Sequence, residues 1–155
     1  MSDNTAVVKV RINASGKRLI GSLELPPGIE RVSDVLNSQG PCVLLTSLDA
    51  AFKAGKPATH IIFKDSITYV EALEEPKPHT TSPHGGTFMP VVGEIREPQA
   101  QQIIAEIFIP IGMTLFEVLN DPRPFISMRN VHFSNFVERY PFLAVCKRQL
   151  IVVTA

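Results

Sequence analysis

The chain has no tryptophan, two tyrosines, two cysteines and no surplus of charge, with 15 lysines and arginines against 15 aspartates and glutamates. Each scarcity excludes something. Two cysteines make neither a disulfide framework nor a cysteine-rich zinc motif. The charge balance holds along the chain. Residues 1–75 carry 8 basic and 9 acidic side chains, and residues 76–155 carry 7 and 6. Neither part is a basic module, so broad electrostatic binding to nucleic acid is disfavoured and DNA is not an expected partner. No run approaches 18 consecutive apolar residues, so no membrane-spanning helix is expected. Residues 1–6 are polar with no apolar stretch behind them, which sets the expectation of no secretory leader and a cytoplasmic location. No glycine-rich phosphate loop, nucleophile elbow or HExxH motif occurs. The expectation is therefore a protein with no catalytic residues, no enzymatic activity and no cofactor.

What is present is a repeat. Residues 25–37 read Leu-Pro-Pro-Gly-Ile-Glu-Arg-Val-Ser-Asp-Val-Leu-Asn, and residues 109–120 read Ile-Pro-Ile-Gly-Met-Thr-Leu-Phe-Glu-Val-Leu-Asn. The first copy is one residue longer. Beyond the asparagine the copies stay in register at an offset of 83, with Pro41 on Pro124, Cys42 on Phe125, Lys64 on Lys147 and Val70 on Val153. Before it the offset is 84, with Pro26 on Pro110. A period this long in only two copies indicates a duplicated domain rather than a solenoid.

Alternating apolar and polar residues predict strands over 7–12, 17–25, 42–48, 59–63 and 67–70, and again over 88–95, 102–109, 125–133, 142–146 and 150–153. A short helical turn is predicted after the second strand of each copy, capped by Ser33 in the first, with Asn37 suited to a left-handed exit. Residues 74–86, rich in proline, histidine and glycine, read as a linker between a first unit at 1–73 and a second at 87–155. Many prolines exclude long helices. The fold class is all-β, as two small five-stranded barrels.

A resemblance supports that reading. Val8-x-Val10-x-Ile12, Gly16-Lys17-x-x-x-Gly21-x-Leu23, Asn37, Leu44 and Asp49 resemble the first Sm motif, and residues 61–70 are similar to the second. The Pro-x-Gly…(Asp/Glu)-Val-Leu-Asn segment also resembles small bacterial domains of unknown function. The resemblance implies tandem Sm-like barrels, which pair strand edges to build rings and in many members bind RNA. An Asp/Asn loop and an Arg-Gly pair grip the RNA there. Asn37 and Asn120 stand at the first position. At the second this chain has Lys64-Asp65 and Lys147-Arg148, without an Arg-Gly pair.

Candidate residues were weighed against plain structural roles. Cys42 and Cys146 match Phe125 and Phe63 and read as small buried hydrophobes. Asp34 and Glu117 read as helix-start acids. His79 and His84 lack the further ligands zinc needs, so no metal site is expected. Residues 123–148 combine Arg123, Arg129 and Arg139 with Phe136 and Tyr140, a mixture enriched at protein interfaces. The leading expectation is a structural or adaptor protein, either a homo-oligomer or a subunit of a larger complex, using strand edges and this Arg/aromatic surface. An RNA-binding regulator using Asn37, Asn120, Lys64, Lys147 and Arg148 is the alternative, and a small-molecule sensor is the third reading.

Overall fold

The computed structural model describes residues 6–29, 31–47, 57–74, 85–96 and 99–155. His79, His84, Asp49 and most of the expected linker lie outside the described residues. The first repeat supplies β1 (Ala6–Ala14), β2 (Lys17–Leu25), α1 (Val32–Leu36), β3 (Cys42–Ser47), β4 (Ala58–Phe63) and β5 (Ile67–Ala72). The second supplies β6 (Gly86–Ile95), β7 (Gln101–Pro110), α2 (Leu115–Leu119), β8 (Phe125–Phe133), β9 (Arg139–Cys146) and β10 (Leu150–Thr154). The all-β class and the five strands per repeat hold. The strands, however, form one antiparallel ten-stranded sheet in the order β10-β6-β7-β8-β9-β5-β1-β2-β3-β4. The sheet is open: β4 and β5 are joined by a single 3-10 turn at Lys64–Ser66 and do not pair with each other.

The repeats share their strand order and differ in local devices. Ser15 and Gly16 join β1 to β2 with φ of 49° and 79°, the left-handed pair that a two-residue hairpin needs to match strand twist. The corresponding β6–β7 connection is longer, since Ile95 pairs with Gln101. At Gly21 β2 and β3 come so close that a Cβ would sit 2.5 Å from the Thr46 carbonyl oxygen. Only glycine fits that approach. In β8, Asn130 takes φ of 53° beside a register shift against β7, a bulge that bends the long strand.

The helical turns differ at their starts. Thr114 caps α2, its hydroxyl accepting from the Glu117 N–H while the Glu117 carboxylate accepts from the Thr114 N–H. In α1 the cap position is Arg31, without a side-chain bond, and Ser33 lies inside the helix. At the offset of 83 the cap residue Thr114 corresponds to Arg31 and Phe116 to Ser33, so the first copy has no side-chain oxygen at the cap. Asn37 ends α1 at φ of −91° rather than in the left-handed region, and its counterpart Asn120 ends α2 at −86°.

The two repeats exchange core residues. Tyr69 of β5 is buried in the second core, where its ring lies 5.1 Å from Phe133 and 5.9 Å from Tyr140. In return Phe125, Ala144 and Cys146 of the second repeat complete the first core. Neither core closes without the other repeat, so we expect one cooperative unfolding transition for both. Tyr69→Ala removes a fully buried ring and should cost on the order of 3–5 kcal/mol. Thermal denaturation followed by circular dichroism, and separately by tyrosine fluorescence, should give coincident curves at a lowered midpoint. Two separated transitions in the unaltered chain would show independent units instead.

Candidate functional site

The repeats meet along one strand pair. β5 and β9 run antiparallel with Tyr69 opposite Val145 and Val70 opposite Ala144. Asn37, at the end of α1, reaches across this junction to the first residue of β8. Its Oδ1 accepts from the Phe125 N–H at 2.8 Å and its Nδ2 donates to the Phe125 carbonyl at 3.2 Å. One primary amide thus satisfies both main-chain groups of a buried residue, much as a paired strand would. Farther along, the Gln149 Nε2 donates to the Asp65 carbonyl at 3.2 Å, and Arg148 pairs with Asp65 at 3.2 Å. Both partners of that ion pair are exposed, so it orients the junction more than it stabilises it.

Lys64 and Lys147 have the same job in each repeat. The Lys64 Nζ donates to the Ser38 carbonyl and the Lys147 Nζ to the Asp121 carbonyl, both at 2.7 Å. Their own N–H groups bond the carbonyls of Pro41 and Pro124, both at 2.8 Å. These lysines tie the 3-10 turn to the loop after the helix. Burial pushes both ammonium groups below the ordinary lysine range, with the Asp121 carboxylate opposing the shift at Lys147. Asp121 is held below the usual carboxylate range, chiefly by its hydrogen bonds from Arg123.

Of the residues drawn from the Sm resemblance, Asn37, Lys64, Lys147 and Arg148 gather at the junction. Asn120 does not. It ends α2 beside Val153 of β10, and its side chain makes no hydrogen bond among the described residues. Lys64 is buried, and its ammonium is spent on its own loop. A shallow groove of about 450 Å³ between Lys64, Asp65, Asp121 and Arg123 retains only Arg123 and Arg148 as well-exposed cations.

The five residues expected to form an Arg/aromatic surface are dispersed. Tyr140 is buried against Tyr69, and Phe136 packs edge-on against Phe133. Burial pushes the Tyr140 hydroxyl well above the ordinary tyrosine range. Arg129 lies over the Phe88 ring at 3.4 Å and bonds Glu106 at 2.7 Å, while Arg123 is held by Asp121. Arg139 is exposed at the start of β9. Cys146 is buried as expected, and burial raises its thiol pKa. Cys42 is only half-buried, because nothing covers it as Asn37 covers Phe125.

A cleft of about 290 Å³ lies where the repeats meet, between Val32, Val70, Leu73, Phe142 and Ala144. Its lining is mostly apolar and shared by both repeats, the place a small-molecule reading would look first. Among the described residues no group of three or more His, Cys, Asp or Glu is placed to hold a metal, and no helix is long and apolar enough to cross a membrane.

Sequence reasoning took Asn37 for a turn residue and missed the clamp, since its partner lies 88 positions away. The clamp should be measurable. Asn37→Ala leaves a buried N–H and carbonyl of Phe125 unpaired and should cost about 1–3 kcal/mol. In urea this appears as a lowered midpoint at unchanged slope. Asn37→Asp, which keeps only the acceptor, should fall between. Comparison with known proteins gives no match for this chain among family models, curated proteins or solved structures.

Proposed function

We propose that this protein is a non-enzymatic assembly subunit, built from two Sm-like units, whose outer strand edges pair with those of further copies. The observation that carries this reading is the contrast between equivalent residues at the junction and at the outer edges. Within the chain, the β5 edge of one repeat is covered by the β9 edge of the other. At the ends of the sheet β4 and β10 have one neighbour each.

Ala144 is 7% exposed, whereas its counterpart Ile61 on β4 is 65% exposed. Cys146 is 1% exposed and its counterpart Phe63 is 61%. Tyr69 is 2% exposed and its counterpart Val152 on β10 is 47%. Each outer position is apolar, though it lies in water in the single chain. Edge strands that stay alone usually carry charge, proline or a bulge to prevent pairing. Residues 58–63 and 150–154 contain no Lys, Arg, Asp, Glu or Pro, and the one such device on these two strands is a register shift of β10 against β6 between Leu150 and Val152.

The two edges differ, so pairing one with the other is head to tail. Such contacts make a closed ring if the rotation per copy divides a full turn, and an open filament otherwise. Three copies supply six units, enough for a pseudo-sixfold ring.

Light scattering on the purified chain, with absorbance at 260 and 280 nm on the same peak, tests the reading. The expected result is a nucleic-acid-free mass that is a multiple of 17.1 kDa. Ile61→Lys places a charge on the exposed face of β4 and should shift the mass toward the monomer with the folded spectrum intact. A peak rich in 260 nm absorbance would favour the RNA-binding reading, carried by the exposed Arg123 and Arg148. A monomer at every concentration would overturn self-assembly.

A further inference from the structure

The junction inside the chain also supplies a template for what one outer edge holds. Asn37 clamps the main chain of Phe125, and the repeat places Asn120 at the Asn37 position and Cys42 at the Phe125 position, both at an offset of 83. Within one chain these two counterparts do not bond to each other, although their neighbours Pro41 and Asp121 line one groove: Cys42 opens β3, next to the outer strand β4, and Asn120 sits beside the other outer strand, β10.

Each is nevertheless presented as its counterpart is. Asn120 ends α2 with φ of −86° and ψ of −1°, against −91° and 1° for Asn37. The Pro41 carbonyl ahead of Cys42 is held by the Lys64 N–H at the same 2.8 Å as the Pro124 carbonyl by Lys147.

We infer that the α2–β10 edge is a docking site for the β3–β4 edge of a second copy of this chain, with the Asn120 amide gripping the main chain of that copy's Cys42. The inference rests on the self-assembly reading above and specifies its register. One further observation fits a second copy as the occupant. Beside Asn120 lies an open groove of about 270 Å³ lined by Leu115, Phe116, Leu119 and Val153. In the first repeat Leu36 and Val70, the counterparts of Leu119 and Val153, are fully buried, and α1 packs against β8. Phe116, 73% exposed, stands at the rim of this groove.

The test uses Asn120→Ala in the full chain, with the mass measured over a concentration series and Cys42 alkylation by iodoacetamide followed by peptide mass spectrometry. Asn120 is exposed, so the substitution leaves the fold intact, and circular dichroism checks this. Losing two hydrogen bonds should raise the dissociation constant by at least about tenfold. Cys42 should be protected in the assembled chain and alkylated faster in Asn120→Ala.

Three results would overturn the inference, and they are distinguishable. If Asn120→Ala leaves mass and alkylation unchanged while Ile61→Lys dissociates the assembly, the clamp falls and edge pairing stands. An assembly indifferent to both substitutions places the contact on another surface, and both readings fall. A monomer at every concentration also removes both.

Discussion

The structure depends on one strand-to-strand contact made within a single chain. The β5–β9 ladder is short, with two residue pairs in register, and its hydrogen bonds alone contribute little net stability. Its importance comes from what it brings along. It carries Tyr69 into the second core and Phe125, Ala144 and Cys146 into the first, and burial of that apolar surface is the larger stabilising term. The Asn37 amide then completes the main-chain pairing at Phe125, which lies opposite Cys146 of β9. Ladder, exchanged side chains and clamp are mutually dependent. Without the ladder the amide has no partner, and without the amide a buried peptide group is left unpaired.

Because the two repeats share this design, each position exists in two environments, and the differences separate local from tertiary causes. Lys64 and Lys147 behave alike, since the carbonyls they bind belong to their own repeats. The helices differ in capping because Arg31 stands at the position that Thr114 fills in the second copy, where it bonds Glu117. Cys42 and Phe125 differ in burial for another reason: a neighbouring repeat covers Phe125 and leaves Cys42 open. Where the two copies keep the same residue, as at Lys64 and Lys147, the local structure repeats, and what requires a neighbour appears once.

That distinction also explains what could be read from the amino-acid order. Strand periodicity in Lys17–Leu25 and the sharp corner at Lys64–Ser66 are local and were legible. The offset of 83 showed the duplication before any coordinates. Sheet closure was not legible, since it depends on whether β4 and β5 pair with each other or with outside strands. The role of Asn37 was hidden by sequence distance, and so was the burial of Tyr140, whose neighbours Tyr69 and Phe133 come from both repeats. One signal was available and went unused. Residues 67–70 and 150–153 are both nearly continuous apolar runs, a pattern that belongs to strands covered on both faces and on both sides.

Side-chain sizes argue for a preferred pairing of the outer edges under the proposed assembly. Inside the chain, bulk sits on the β5 side: Tyr69 faces Val145 and Val70 faces Ala144. In the same register between copies, Val152 would face Ile62 and Val153 would face Ile61, which moves bulk to the β4 side while keeping each pair apolar. A β10 edge meeting β9 instead would set Val153 against Ala144 and Val152 against Val145, leaving space unfilled, and underpacked contacts lose dispersion energy directly. A β5 edge meeting β4 would crowd Tyr69 against Ile62, and overpacking is also destabilising. Size complementarity therefore favours β5 with β9 inside the chain and β10 with β4 between copies. The divergence of the two repeats at these positions is what would keep the inner and outer junctions from exchanging partners.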